Sequence, residues 1–137
     1  MNVNNNIPTN KLALKRKVLV VDDDIELLQV LHDFIEEDGR FELRTASTGF
    51  DAGAATQEFK PDLILLDIML PDINGLEVCR YVKNTEAVRD AKIIAISGMI
   101  EKDKIGELYE AGIDYYIQKP FNLVELKKKI CEMLEID

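Results

Sequence analysis

The residues with the clearest chemical potential are acids, one serine and one lysine, each placed directly after a short apolar run. Asp22 and Asp23 follow KVLVV, Asp67 follows DLILL, Ser97 follows KIIAI and Lys119 follows DYYIQ. Carboxylates that lie close together disfavour each other's ionisation, so a cluster of acids favours a bound cation. Mg²⁺ prefers octahedral oxygen coordination and is commonly held by one or two carboxylates together with a phosphate. These residues therefore predict a Mg²⁺-assisted phosphoryl-transfer site, provided that the fold brings them together.

Each residue has an expected role at such a site and a plainer alternative. With Mg²⁺ shared between Asp23 and Asp67, a phosphoryl group would complete the coordination sphere, and Asp67 is the candidate nucleophile. The hydroxyl of Ser97 and the ammonium of Lys119 would hold the other phosphate oxygens, because phosphoryl transfer mostly requires positioning and charge neutralisation. Taken alone, Ser97 is an ordinary turn residue and Lys119 is an ordinary surface lysine. Asp24 is favoured as a helix cap.

Five βα units are predicted to position these residues. From Lys17 onward, short apolar runs alternate with helical patterns. VLVV, LILL and IIAI are continuously apolar, as expected for strands covered on both faces, whereas FELRTA alternates like an edge strand. The predicted fold is α/β, a doubly wound (βα)5 five-stranded parallel sheet of flavodoxin-like order 2-1-3-4-5 with helices on both faces. In that order the carboxyl ends of strands 1, 3, 4 and 5 meet at one edge of the sheet.

Turn and capping residues agree with this division of the chain. Gly39 and Gly112 follow the first and fourth predicted helices, and Asn122 with Glu125 is a capping pair for the last one. The fourth helix is predicted to be the weakest, because an internal glycine such as Gly106 costs about 1 kcal/mol relative to alanine.

Some residues are expected to be structural. Cys79 and Cys131 form no CxxC pair and are predicted to be core-facing thiols, and His32 lacks companions for a metal site. The lysine run 127–129 is predicted to be mostly a solvated helix face.

Composition bounds the class of protein. The 137 residues suit one domain, with 47% hydrophobic and 31% charged residues, and 26 acids against 17 bases give a net charge of −9. This charge argues against direct nucleic-acid binding. The Asn-rich residues 1–16 are predicted to be a mobile tail before a domain over 17–137. No apolar run approaches the roughly 20 residues that cross a bilayer, and no signal-peptide core is present, so we expect a cytoplasmic protein without a membrane partner.

Four segments resemble the receiver domain of two-component response regulators, with its chemotaxis-regulator-like fold: VLVVDDD, LILLDIMLPDINGLEV, IIAISG and DYYIQKPF. The resemblance covers about Lys17 to Asp137. It implies that Asp67 accepts a phosphoryl group from the phosphohistidine of a sensor histidine kinase or a histidine phosphotransfer protein. It also implies that Asp23, Asp67 and the backbone carbonyl of Met69 ligate Mg²⁺, and that Asp22 assists at this metal site through water or by contacting the direct ligands.

The resemblance further implies a conformational switch. Ser97 takes the place of the family's hydroxyl residue, and Lys119 takes that of its phosphate-binding lysine, commonly followed by a cis peptide bond to proline. On phosphorylation Ser97 would move toward the phosphoryl group and Tyr116 would turn inward; alternatively, Tyr116 is an amphipathic tyrosine packed at the sheet edge. Helix 4, strand 5 and helix 5 form the implied output surface for an unidentified protein target or a homodimer. Met69 and Met99 are expected to flank the path of an attacking water.

The resemblance implies a signalling domain rather than a multiple-turnover enzyme. The alternatives are a Mg²⁺-dependent aspartate-nucleophile phosphatase, a pseudo-receiver that binds partners without phosphorylation, and an FMN-binding protein. A haloacid dehalogenase-type hydrolase would usually carry an acid where Met69 stands, and the acids after the strands would oppose a cofactor phosphate. The sequence shows no helix-turn-helix, and a stand-alone regulator and the receiver portion of a longer protein both remain open.

Overall fold

The structure, a computed structural model, describes residues 15–98 and 100–137. Strands and helices alternate along these residues: β1 (Arg16–Val21), α1 (Ile25–Glu36), β2 (Phe41–Ala46), α2 (Gly49–Phe59), β3 (Leu63–Asp67), α3 (Gly75–Lys83), β4 (Lys92–Ser97), α4 (Lys102–Ala111), β5 (Tyr115–Gln118) and α5 (Leu123–Met133). Most of the predicted tail, residues 1–14, lies outside the described residues. β1 begins at Arg16, one residue before the predicted start of the domain.

The five strands form one parallel sheet in the order β2-β1-β3-β4-β5, which confirms the predicted topology. β1 pairs with β2 on one side and with β3 on the other, and every residue of β3 is buried. β2 has only one neighbour, and its buried Phe41 and Leu43 alternate with exposed Glu42 and Arg44. The alternating pattern of FELRTA is therefore the pattern of an edge strand, as predicted. Because the strands are parallel, the carboxyl ends of β1, β3, β4 and β5 lie side by side.

Helices cover both faces of this sheet. On one face, α2, α3 and α4 contribute Ala52, Phe59, Val78 and Leu108 to an apolar cluster with alternate strand residues. On the other face, α1 and α5 contribute a second cluster that includes Leu31. A fully buried leucine contributes about 1.5–3 kcal/mol to the free energy of folding, so these two apolar layers stabilise the sheet from both faces. Among the helices of residues 15–98 and 100–137, none combines the length and the apolar character that a bilayer crossing requires.

The predicted capping residues occupy the ends of the helices. The carboxylate of Asp24 accepts a hydrogen bond of 3.1 Å from a backbone N–H in the first turn of α1, and the side chain of Asn122 accepts one of 3.0 Å from Glu125 N. Gly39 and Gly112 follow α1 and α4 with φ angles of +82° and +117°. Positive φ is a region that glycine enters without steric cost, so Gly112, the C-cap of α4, ends that helix as predicted. Gly39 lies two residues beyond Glu37, the C-cap of α1, and belongs to the turn that follows the helix.

The prediction that lysines 127–129 mostly face water is wrong for two of them. Lys127 Nζ lies 2.9 Å from a carboxylate oxygen of Asp38, and Lys129 Nζ lies 4.1 Å from the centre of the Tyr115 ring. Only Lys128 is exposed. Long lysine stems can pack along apolar surface while their ammonium groups find an acid or an aromatic face, which helical periodicity does not reveal.

The cysteines and the histidine hold structural positions. Cys79 is buried, its Sγ lies 3.2 Å from the carbonyl oxygen of Ala111, and burial raises the pKa of its thiol to about 11. Cys131 is half-buried, so the prediction of a core-facing thiol holds fully only for Cys79. The side chain of His32 is 40% exposed beside two acids of α1.

Candidate functional site: an acidic pocket at the carboxyl ends of the strands

Three carboxylates meet where β1 and β3 end. Asp22 and Asp23 directly follow β1, and Asp67 is the last residue of β3, so the pairing of these strands brings them together. One oxygen of each of the three carboxylates lies within 4.8 Å of the others. Asp22 and Asp67 are buried, whereas Asp23 is exposed at the rim. The predicted acid cluster therefore exists, with two acids fixed in the interior and one facing solvent.

Hydrogen bonds orient the two buried acids. Asp22 Oδ1 accepts from the backbone N–H of Asp24 at 2.9 Å, and Asp67 Oδ1 accepts from the backbone N–H of Met69 at 2.9 Å. The other oxygens of both acids face Lys119, whose Nζ lies 2.8 Å from Asp22 Oδ2 and 3.4 Å from Asp67 Oδ2. The ammonium group thus bridges the two buried carboxylates.

The charges of the pocket shift its pKa values. Burial raises the pKa of Asp67, and the neighbouring Asp22 carboxylate raises it further. The hydrogen bond from Met69 and the charge of Lys119 lower this pKa, but they offset the rise only in part. Burial alone would lower the pKa of Lys119, but its hydrogen bond to Asp22 and the charges of both carboxylates raise it instead. Lys119 is therefore a cation at neutral pH.

The donor set of the pocket fits a small divalent cation. Three ionised carboxylates and one ammonium leave a formal charge of −2 in the cluster formed by Asp22, Asp23, Asp67 and Lys119. All of the acid ligand atoms are oxygens, which hard divalent cations prefer, and the exposed rim at Asp23 leaves room for the waters that such ions retain.

Ser97 ends β4 beside the acids. Its neighbour Ile96 pairs with Asp67, and its own carbonyl oxygen accepts a hydrogen bond of 2.6 Å from Lys119 N. The side chain is buried, and its Oγ has no hydrogen-bond partner among the described residues. A buried hydroxyl without a hydrogen-bond partner costs about 1–3 kcal/mol of folding free energy. The Ser97 hydroxyl can therefore donate a hydrogen bond to an oxygen that enters the pocket.

Tyr116 and Tyr115 lie on opposite faces of β5. Tyr116 packs against the apolar cluster under α4, and its hydroxyl donates a hydrogen bond of 2.7 Å to the carbonyl oxygen of Gly98. Burial raises the pKa of its phenol. Tyr116 therefore ties β5 to the residue that follows Ser97, and its role as a switch residue stays a prediction. Tyr115 instead lies under the ammonium of Lys129.

The segment after Asp67 is a short closed loop. Gly75 N donates a hydrogen bond of 3.0 Å to Ile68 O, and a Cβ on Gly75 would lie 2.6 Å from the Cα of Ile68, so only glycine fits there. The side chain of Met69 is 69% exposed within this loop. The other predicted flanking residue, Met99, lies outside the described residues. The Lys119–Pro120 peptide bond is cis, as the resemblance implies.

Sequence reasoning missed one residue of this loop. The Asp72 carboxylate accepts hydrogen bonds from Gly49 N at 2.8 Å and from Phe50 N at 3.0 Å, and so fastens the loop to the beginning of α2. The only available signal was an acid directly after Pro71 in a turn sequence, and such a signal does not name a distant partner.

Comparisons with known proteins point to one family. The family model described as response regulator receiver domain matches residues 18–131. The polar-differentiation response regulator DivK of Brucella ovis is 34% identical over 110 residues, which cover 80% of this chain and 89% of DivK. The DNA-binding response regulator MtrA of Mycobacterium tuberculosis is 34% identical over 118 residues, which cover 86% of this chain and 50% of MtrA. The chain thus spans about half the length of MtrA.

Solved structures agree with these sequence relatives. A response regulator receiver domain protein (CheY-like) from Methanospirillum hungatei superposes with a TM-score of 0.81 at 31% identity, covering 88% of this chain and 94% of the other. The signal receiver domain of a DNA-binding response regulator from Colwellia psychrerythraea superposes with a TM-score of 0.82 at 29% identity, covering 88% and 99% of the two chains.

Proposed function

Because this chain belongs to the response regulator receiver domain family, we propose that Asp67 is its phosphoacceptor. The family is a signalling family of two-component systems. The observation that carries the assignment is the convergence of Asp67 with Asp22, Asp23 and Lys119 in one pocket, with carboxylate oxygens within 4.8 Å of each other. A phosphoacceptor needs a nucleophilic oxygen beside charges that neutralise the phosphoryl group, and this pocket contains both.

The proposed reaction transfers a phosphoryl group from a phosphohistidine. An Asp67 carboxylate oxygen attacks phosphorus, the phosphorus–nitrogen bond breaks, and its electron pair stays on the imidazole, which takes a proton from solvent. Lys119 Nζ, which already faces Asp67 Oδ2, would turn to an oxygen of the acyl phosphate. The unpartnered hydroxyl of Ser97 would donate to another. Both contacts position the phosphoryl group and neutralise its charge.

Mg²⁺ is the proposed cation of this pocket. Asp23, Asp67 and the backbone carbonyl of Met69 would hold it, with Asp22 acting through water. When bound, Mg²⁺ would offset the repulsion between the carboxylates and the phosphoryl oxygens. The oxygen-only acid cluster and its formal charge of −2 support this choice.

The proposed output runs from Ser97 through β5 to a surface formed by α4, β5 and α5. Lys119 N, directly after β5, donates a hydrogen bond to Ser97 O, and the Tyr116 hydroxyl of β5 donates one to Gly98 O, so a shift of Ser97 would strain both contacts. In α4 only Leu108 is buried, Gly106 is exposed, and the helix has no side-chain hydrogen bond at its N-cap. Few buried contacts make a helix cheap to displace, which suits an element that phosphorylation biases.

The proposed partners follow from the proposed phosphoacceptor and output surface. A sensor histidine kinase or a histidine phosphotransfer protein would supply the phosphoryl group, and an unidentified protein would read the output surface. A homodimer through that surface and a cytoplasmic location stay predictions, as does the absence of direct nucleic-acid binding. A phosphatase is not favoured, because Met69 occupies the position where such an enzyme would carry an acid.

Intact-protein mass after incubation with acetyl phosphate tests the proposal. We expect one labile phosphoryl adduct that requires Mg²⁺ and disappears in Asp67→Ala. Asp90→Asn is the matched control, because this exposed acid precedes β4 at the opposite end of the sheet, and it should keep the adduct. An adduct that survives in Asp67→Ala would place the acceptor elsewhere. A folded wild type that binds Mg²⁺ and forms no adduct, even with a histidine phosphotransfer donor, would indicate a pseudo-receiver.

A further inference from the structure

Asp72 lies outside the acidic pocket but joins the loop that follows Asp67 to a different helix. Its two carboxylate oxygens accept from separate donors, Oδ1 from Gly49 N at 2.8 Å and Oδ2 from Phe50 N at 3.0 Å. These are the first two backbone N–H groups of α2, which have no partner within the helix. The positive end of the helix dipole adds to the attraction for a carboxylate. Asp72 therefore caps α2 from a loop 22 or more residues away in the sequence.

An apolar contact reinforces this attachment. A Cβ placed on Gly49 would lie 2.7 Å from the Cβ of Ile73, so the residue after Asp72 packs directly on the first residue of α2. The hydrogen bonds and this contact together fix the tip of the loop. The hydrogen bonds from Gly49 and Phe50 also lower the pKa of Asp72, because the two backbone N–H groups stabilise its ionised form.

The remaining attachments lie at the base of the same loop. Gly75 N bonds to Ile68 O, and Met69 N bonds to Asp67 Oδ1. The backbone from Ile68 to Gly75 is thus held at its base by the sheet and at its tip by α2. Met69, whose carbonyl is one of the three proposed metal ligands, lies between these two attachments.

We propose that Asp72 is a positioning residue for the acidic pocket: by fastening the loop 68–75 to α2, it holds the main chain of Met69 in place beside Asp67. This inference rests on the proposed function, because it assigns Asp72 to the same pocket. Asp72 contacts neither the metal nor the phosphoryl group and acts through the loop.

The chain offers a matched control in Thr48. The hydroxyl of Thr48 accepts a hydrogen bond of 3.0 Å from Asp51 N and is the N-cap of the same helix. Thr48→Ala therefore removes a cap of α2 without touching the β3–α3 loop. Asp72→Ala removes both a cap and the attachment of the loop. Asp72→Asn keeps one acceptor oxygen and should lie between Asp72→Ala and wild type.

Two measurements on the full chain test the proposal. The first is the Mg²⁺ dissociation constant by isothermal titration calorimetry, with MgCl₂ as the only titrant at constant ionic strength. We expect Asp72→Ala to weaken binding roughly 10-fold, the usual scale for residues that orient metal ligands, whereas Thr48→Ala stays at the wild-type value. The second is hydrogen exchange of residues 68–75 without Mg²⁺, which should accelerate in Asp72→Ala and not in Thr48→Ala.

The outcomes separate this inference from the proposed function. If Asp72→Ala and Thr48→Ala have the same Mg²⁺ affinity, or wild type binds no Mg²⁺, the positioning role is wrong, whatever acetyl phosphate does to Asp67. If Mg²⁺ affinity depends on Asp72 while wild type forms no adduct, the positioning role holds and the phosphoacceptor assignment fails.

Discussion

Replacing Ser97 with alanine should make the resting protein more stable. Ser97 is 1% exposed, and its buried hydroxyl has no hydrogen-bond partner among the described residues. A buried polar group left unpaired costs about 1–3 kcal/mol, while the cavity that a missing hydroxyl leaves is small. We therefore expect Ser97→Ala to raise the free energy of unfolding by about 1 kcal/mol, or the melting temperature by roughly 3–5 °C for a domain of this size.

Urea denaturation at neutral pH without Mg²⁺ measures this change, because an unchanged slope with a higher midpoint reports stability alone. Thr56→Val is the control, since the hydroxyl of Thr56 is equally buried but donates a hydrogen bond of 2.7 Å to Ala52 O. Removing this satisfied hydroxyl should lower the free energy of unfolding by about 1 kcal/mol. The reasoning is refuted if Ser97→Ala is destabilised as much as Thr56→Val, because the Ser97 hydroxyl would then be satisfied in the resting protein.

Three further predictions concern the metal, pH and the loop. Millimolar Mg²⁺ should raise the melting temperature by mass action, and the rise should shrink in Asp67→Ala; a shift of equal size in both proteins would argue against the pocket. The hydrogen bond from Arg40, together with Lys127, lowers the pKa of Asp38, so its stabilisation is present above about pH 4 and is lost as pH falls. In urea denaturation Asp38→Asn should therefore be less stable than wild type at pH 7, and this difference in the free energy of unfolding should narrow as pH falls from about 4 to about 2; a constant difference over that range would contradict the reasoning. Gly75→Ala should destabilise by more than about 1 kcal/mol, because its Cβ meets backbone rather than a flexible side chain, and thermal denaturation against Gly53→Ala, where a Cβ meets nothing within 4 Å, checks it.

The fold and the main acids of the site could be predicted because their signals are local and repeated. Continuous apolar runs distinguish central strands from the alternating β2, and the sheet rule then places the ends of four strands at one edge. Asp67 could be selected because an acid at the end of a fully apolar strand needs a partner. The cap at Asp24 follows from residue type and position alone.

The features that escaped prediction depend on contacts between distant segments. Asp72 caps a helix that begins 23 residues before it, and no spacing rule connects the two. Lys127 contacts Asp38, and Lys129 contacts Tyr115. Predicting these contacts would require knowing how α5 packs against neighbouring elements. Helical periodicity gives the direction in which a side chain leaves the helix, and it does not give the partner found there.

The resting pocket holds unfavourable features that phosphorylation would relieve. Burial, together with the neighbouring Asp22, raises the pKa of Asp67, and the Ser97 hydroxyl has no hydrogen-bond partner within the part of the chain that the structure describes. A hydrogen bond from Ser97 to a phosphoryl oxygen would recover about 1–3 kcal/mol, a coupling free energy that shifts a two-state equilibrium roughly 5- to 150-fold. Movement of Ser97 toward the phosphoryl group would pull on Lys119 and, through Gly98, on Tyr116. Leu108 is the only buried residue of α4, and a fully buried leucine contributes about 1.5–3 kcal/mol, so the expected coupling would be of the size needed to bias the position of this helix.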